Sequence, residues 1–271
     1  MKKNGIGNLL APGAAALMIA AGTGPAWAVT MPYSEDFNDG TASDFDDSPG
    51  SGTSNGTWSV GHNATFGSDA YNYTINSSGT GRSLVSVDGA PESGFVLTTD
   101  FVINSAPTGS DGFWTAAAGY YLFGSGGSTE TAGSYIVDVQ YANPTTNTGD
   151  QARMRIHDLG GSGSLAVGDF GDGSVLDVGT IYTMTVTGDY DGVNLDLSFT
   201  LTDGTTTTTI SGTDTSPSLA DNVVLRHFAG GSLNSTNVSY DNFNIAVPEP
   251  ASLALFGLGG LLMFARRRRA A

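Results

Sequence analysis

The sequence predicts an all-β chain folded as a two-sheet antiparallel sandwich. Three observations predict it. Apolar and polar residues alternate with a period of two over many short runs, Gly-, Asp- and Ser-rich clusters separate those runs, and nothing between Val29 and Ala246 shows helical spacing. About a dozen such runs in one acidic body favour a sandwich, and no fixed-period repeat points to a solenoid or propeller.

The chain opens Met1-Lys2-Lys3, continues through an apolar stretch around Leu9–Ala21, and reaches Pro25-Ala26-Trp27-Ala28. A basic start, a short apolar helix and small residues at Ala26 and Ala28 meet the needs of a secretory signal peptidase, so 1–28 is read as a signal peptide cut after Ala28. A permanent N-terminal anchor fits less well, because Pro12 and Gly13 interrupt the apolar run.

The body, 29–246, is a series of strands. Val193, Leu195, Leu197, Phe199 and Leu201 alternate with Asn194, Asp196, Ser198, Thr200 and Thr202, which gives one apolar and one polar face. Tyr182, Met184 and Val186 alternate with threonines in the same way. Further strand-like runs are Phe95–Ile103, Gly112–Phe123, Tyr135–Tyr141, Ala152–His157, Val223–Phe228 and Asn237–Ile245. Asp189-Tyr190-Asp191-Gly192, Asp203-Gly204 and Gly160-Gly161-Ser162-Gly163 supply the turns, where Asp and Gly tolerate the backbone angles tight hairpins need. Residues 38–57, rich in Gly, Ser and Asp, are expected to form a long surface loop.

Charge excludes several functions. Residues 29–250 hold only Arg82, Arg153, Arg155 and Arg226 against 26 carboxylates, so a nucleic-acid partner is excluded by repulsion. With no Cys there is no disulfide scaffold, thiol chemistry or cysteine-ligated metal.

The end of the chain, 247–271, reads Val247-Pro248-Glu249-Pro250, then the apolar stretch Ala251–Ala265, then Arg266-Arg267-Arg268-Arg269. As a helix that stretch reaches about 22 Å, short of a hydrocarbon core of about 30 Å. The arginines hold the C-terminus on the cytoplasmic side and leave the body outside. These features in this order resemble a PEP-CTERM sorting signal. The resemblance implies recognition of Pro248, Glu249 and Pro250 by an exosortase of a Gram-negative, polysaccharide-producing bacterium, membrane insertion through the C-terminal helix before processing, and delivery to the envelope, outer surface or matrix. A plain single-span anchor is the alternative.

A second resemblance covers most of the body. A Glu-Asp-Phe start at Phe37, Trp58-Ser59-Val60, Tyr182–Thr187, Val193–Thr202 with Asp203-Gly204, and Tyr240-Asp241-Asn242-Phe243-Asn244-Ile245 follow one another in an order similar to the concanavalin A-like jelly roll of legume lectins, laminin-G modules and laminarinase-type glycoside hydrolases. It implies a jelly-roll sandwich whose first and last strands pair. It also implies a structural calcium ion where they meet, with Asp241 as ligand and Glu35 or Asp36 beside it. Hard cations take oxygen ligands, and the Asp189–Asp191 turn is a second calcium candidate. A different jelly roll or an immunoglobulin-like sandwich is the alternative fold.

Catalytic motifs are missing. A retaining glycosidase needs two carboxyl groups about 5 Å apart. The resemblance would place them in Glu-x-Asp-x-Glu, which is absent; the only glutamates are Glu35, Glu92, Glu130 and Glu249. Asp189/Asp191 or Asp169/Asp172 could substitute, but both pairs sit in Gly-rich turns where Asp is ordinarily a turn residue. His62, His157 and His227 lie in separate regions, no Gly-x-Ser-x-Gly elbow precedes a helix, and Gly124-Ser125-Gly126-Gly127 opens no phosphate-binding helix. Trp58, Tyr71 and Tyr73 are the named candidates for stacking on sugar rings. The expectation is a non-enzymatic, exported carbohydrate-binding or structural matrix module, with calcium as a structural ion and extracellular polysaccharide as a partner. A hydrolase with a non-standard carboxylate pair is the alternative.

Overall fold

The structure is a computed structural model that describes residues 29–47, 56–76, 79–89, 92, 94–107, 116–123, 135–141, 152–161, 163–173, 175–217, 219–230 and 236–247. The signal segment with Ala26 and Ala28, and the tail from Pro248 to Arg269, lie outside the described residues. So do the helices expected there.

Fifteen strands account for most of the described chain. They are β1 (Val29–Thr30), β2 (Tyr33–Glu35), β3 (Gly56–Asn63), β4 (Ser68–Ile75), β5 (Gly79–Asp88), β6 (Phe95–Ser105), β7 (Ala116–Leu122) and β8 (Tyr135–Tyr141). Then follow β9 (Arg153–Asp158), β10 (Gly163–Asp169), β11 (Ile181–Tyr190), β12 (Leu195–Thr202), β13 (Thr207–Asp214), β14 (Asn222–Ala229) and β15 (Thr236–Ala246). A 3₁₀ turn, Phe170–Gly173, follows β10.

They form two sheets, ordered β1-β5-β14-β7-β8-β9-β10 and β13-β12-β11-β6-β15-β4-β3, with β2 also on β15. The expected all-β sandwich is therefore present, in the jelly-roll arrangement. It is not wholly antiparallel: the two-residue β1 runs parallel to β5, Val29 opposite Val87. The first strands meet the last one, since β2 pairs β15 through Glu35 and Phe243.

The alternation read in the sequence decides which side chains fill the interior. On β12, Leu195, Leu197, Phe199 and Leu201 are buried while Asp196 is exposed. Val193 is the exception to the expected stripe. It precedes the strand in a turn and is 65% exposed. Of the expected loop 38–57, residues 48–55 lie outside the described residues, and 38–47 is not simply surface: Phe45 is buried against Phe37, Tyr71 and Phe243, and Asp46 exchanges two 2.8 Å backbone hydrogen bonds with Leu84. Burying each such ring contributes roughly 1.5–3 kcal/mol.

One core residue makes stability pH-dependent. His227 on β14 is fully buried and meets Tyr73 edge-on at 5.8 Å. Burial, with Arg226 beside it, holds its imidazole down to about 3. The unfolded chain takes up that proton near pH 6.5, so folding loses up to about 1.4 kcal/mol per unit as the pH falls from there towards 3. His227→Leu keeps the volume and removes the penalty. Urea unfolding at several pH values will show the variant gaining on the wild type as the solution is acidified. A difference independent of pH would contradict this.

Candidate functional site

The residues expected to bind sugar are interior. Trp58, Tyr71 and Tyr73 are 7%, 4% and 0% exposed. Trp58 stacks on Tyr71 at 4.6 Å, and Tyr71 on Phe37 at 5.2 Å. A stacking platform needs an open ring face, so these aromatics are corrected from a binding surface to the sandwich core. Alternation did place Tyr71 and Tyr73 on one face, but it was the inner one.

The carboxylates proposed for calcium do come together in part. β2 delivers Glu35 and Asp36 beside the bend of β15, where the register against β6 shifts between Asp241 and Asn244 and Asn242 takes a positive φ of 53°. Asp241 is 3% exposed and accepts hydrogen bonds from the Asn242 amide (2.8 Å) and the Ser68 hydroxyl (3.3 Å). Burial raises its carboxyl, with the charges of Asp100 and Asp36 adding to the effect. Glu35 is raised by burial although it accepts the Phe37 amide at 2.7 Å, while exposed Asp36 is lowered by hydrogen bonds from Asn38. Among the described residues no three acidic or imidazole side chains converge closely enough to hold a metal ion.

The second calcium candidate is a turn. Asp191 accepts the amides of Val193 (2.8 Å) and Asn194 (2.7 Å) and the Asn194 side chain (3.0 Å), which together lower its carboxyl. Its oxygens are used in holding the turn, and Asp189 points from β11 towards solvent opposite Asp196. His157 and Asp158 do not pair either, since successive strand residues face opposite sides. Asp158 instead accepts the Gly160 amide at 2.6 Å.

The arrangement that motif reading missed is a row of charge on the outer face of the seven-stranded sheet. Strand register places Arg82 (β5), Arg226 (β14), Gly119 (β7), Asp138 (β8) and Arg155 (β9) side by side. Asp138 is fully buried. Arg155 grips it through Nε (2.6 Å) and Nη2 (3.0 Å), and Arg226 reaches it from the other side through Nη1. Arg226 lies two strands from Asp138, roughly 10 Å. It crosses over Gly119, where a Cβ would stand 2.3 Å from the Val137 carbonyl oxygen and 2.7 Å from the Asp138 Cβ. The Arg82 and Arg226 guanidiniums both lie over the Tyr121 ring, at 5.6 and 5.1 Å, and Arg226 also lies 5.1 Å from the Phe228 ring. Burial alone would depress the Arg226 guanidinium, but Asp138 and nearby hydroxyls outweigh it and the net shift is upward.

Neighbouring rows complete the face. Phe228, Ala117, Gln140, Arg153 and Asp169 form one, and Leu84, Val224, Tyr121, Ile136 and His157 the other. Thus all four arginines of the body stand on one sheet face. The outer face of the other sheet instead carries a row of Thr209, Thr200, Thr185, Thr98 and Asn244. The sequence signal was Arg153-x-Arg155-x-His157, whose alternation puts three nitrogen-bearing groups on one side of a strand.

Comparison with known proteins bears on both the tail and the body. Residues 246–269 match the PEP-CTERM protein-sorting motif. The expected signal at Pro248, Glu249, Pro250 and Arg266–Arg269 lies within that match, which begins at the last residue of β15. No curated protein matches the chain. Among solved structures, the globular domain of T. cruzi calreticulin is similar with a TM-score of 0.51 and 10% identity, covering 82% of this chain and 90% of that one. A Bacillus subtilis protein with a galectin-like fold has a TM-score of 0.48 at 11% identity, covering 79% and 94%. The metal-free lectin I-B4 of Griffonia simplicifolia has a TM-score of 0.41 at 17% identity, covering 74% and 91%. The likeness to the calreticulin domain is one of fold, the concanavalin A-like sandwich.

Removing the shared carboxylate tests whether the row is one unit. Asp138→Asn leaves two guanidiniums without their counter-charge and is expected to cost about 3–5 kcal/mol. Arg155→Gln leaves the Asp138–Arg226 pair intact and is expected to cost less than half as much. Equal, small losses in denaturant unfolding would show that the row is not coupled.

Proposed function

We propose that this protein is an exported, non-catalytic module of the cell surface or extracellular matrix that associates with polysaccharide. The observation that carries the reading is the PEP-CTERM motif starting where β15 ends. On this reading a signal peptidase cuts after Ala28, the tail inserts in the inner membrane, and an exosortase of a Gram-negative host recognises Pro248-Glu249-Pro250. The concanavalin A-like fold supports a carbohydrate-binding or structural role, as the similar proteins include one named as a lectin. Weak contacts repeated over many copies on one surface would give useful avidity.

Calcium belongs to the same proposal. Asp241, with Glu35 or Asp36 and backbone carbonyls, would hold one ion where the first and last strands meet, relieving repulsion among these carboxylates. An ion bound only by the folded state adds about 2.7 kcal/mol at a hundred times its Kd.

The test uses protein purified from the host and from a strain lacking its exosortase. The wild-type product is expected to begin at Val29 and to lack the apolar tail, whereas the exosortase-deficient strain keeps it. The mature protein is expected to be retained on the host's exopolysaccharide. Chelator is expected to lower its unfolding temperature by several degrees, with Asp241→Asn removing that sensitivity. An identical tail in both strains, or no retention by folded protein, would contradict the reading.

A further inference from the structure

A cavity of about 770 Å³ opens on the outer face of the eight-stranded sheet, where the chain turns from β11 into β12 and leaves β15 at Val247. That volume lies in the range of small-molecule sites. Strand register builds its floor from two rows. Ser211, Ser198 and Thr187 lie side by side in one, and Thr213, Asp196 and Asp189 in the other. Ser198 is half-buried and the other five are exposed.

Hydrogen bonds within the floor leave it rich in acceptors. The Thr213 hydroxyl donates to Asp196, Ser211 donates to Ser198 at 3.1 Å, and Ser198 donates to the Ile210 carbonyl at 3.5 Å. Those donors are spent on the sheet itself. The Asp189 carboxylate accepts no hydrogen bond among the described residues and stands directly opposite Asp196. Like charges opposite one another on neighbouring strands, with Cβ atoms about 5 Å apart, are destabilising. A guest that donates hydrogen bonds to both carboxylates offsets that cost, and an acidic guest adds to it. Among the described residues no basic side chain lines the cavity. Adjacent hydroxyls of a sugar ring are such donors, and the ring's C–H groups suit the exposed Val247 on the wall. Farther along this face Thr209, Thr200, Thr185 and Thr98 offer hydroxyls with no carboxylate among them.

We infer that this cavity binds a non-acidic saccharide unit, whose hydroxyl or amino groups donate to Asp189 and Asp196 while the Thr187 hydroxyl meets the ring from the second row. This rests on the polysaccharide-associated reading above and deepens it, giving that reading a site and excluding uronic and sulfated sugars from it. Hydrogen bonds to ionised acceptors are the strong ones, so the two carboxylates supply most of the affinity.

The experiment titrates the purified, nitrogen-15-labelled mature protein with maltotriose, triglucosamine and trigalacturonate and follows the backbone amide signals. Maltotriose or triglucosamine is expected to shift amides around Thr187–Asp189, Asp196–Ser198 and Ser211–Thr213, and trigalacturonate to leave them in place. A preference for triglucosamine assigns an amino group to the carboxylates, and a preference for maltotriose assigns hydroxyls. D189N/D196N is expected to weaken the binding at least about tenfold, as the loss of charge-assisted hydrogen bonds allows. Circular dichroism checks the fold of that variant. Should it fail to fold, T187V in its place is expected to weaken the same titration by a smaller factor. Equal binding of trigalacturonate, shifts confined to other strands, or unchanged binding by a folded variant would overturn the inference. So would silence towards all three sugars in a protein still retained on the host's exopolysaccharide, which leaves the surface-module reading intact. No binding to the sugars and no retention on that exopolysaccharide would remove both.

Discussion

One buried phenol ties the two sheets together beneath the charge row. Tyr240, fully buried on β15, donates to the Arg226 carbonyl at 2.6 Å and accepts the Gly119 amide at 3.3 Å. Both partners are backbone groups of the opposite sheet, on strands β14 and β7, and both residues lie in the arginine row. Buried polar groups of this kind must be satisfied, and here one hydroxyl satisfies two of them. The charge row on the outside is thus tied through the core to β15. That strand also meets β2 at its far end and leads directly into the sorting motif.

Gly119 makes the outer half of this arrangement possible. Any Cβ there would overlap the neighbouring strand at Val137 and Asp138 and push Asp138 out of its place in the cluster. The result is a carboxylate wholly removed from water, held by a bidentate guanidinium on one side and a second guanidinium on the other. Ion clusters like this add little net stability compared with apolar packing, and breaking them is costly.

Much of the scaffold was legible in the sequence. Tyr135–Tyr141 became a strand with the same bounds, and the leucine-rich alternation of 195–201 fell on the buried face as expected. The junction of first and last strands, implied by resemblance, is present. β10 and β13 were missed because Gly, Ser and Thr carry their alternation with too little apolar contrast to register. Inside and outside could not be told apart for aromatics on alternating strands, so Trp58, Tyr71 and Tyr73 were assigned to the wrong side. The arginine row escaped notice for a different reason. Arg82 and Arg226 become neighbours only through strand register, and no local motif encodes a contact between residues so far apart.

Hydrogen–deuterium exchange of the wild type and of Tyr240→Phe decides whether the Tyr240 hydroxyl holds the ion cluster in place. Loss of its two hydrogen bonds is expected to speed exchange in Ala116–Leu122, Tyr135–Tyr141 and Asn222–Ala229, with the threonine-rich strands unchanged. Equal acceleration in both sheets, or none in either, would show that the phenol does not tie the cluster to β15.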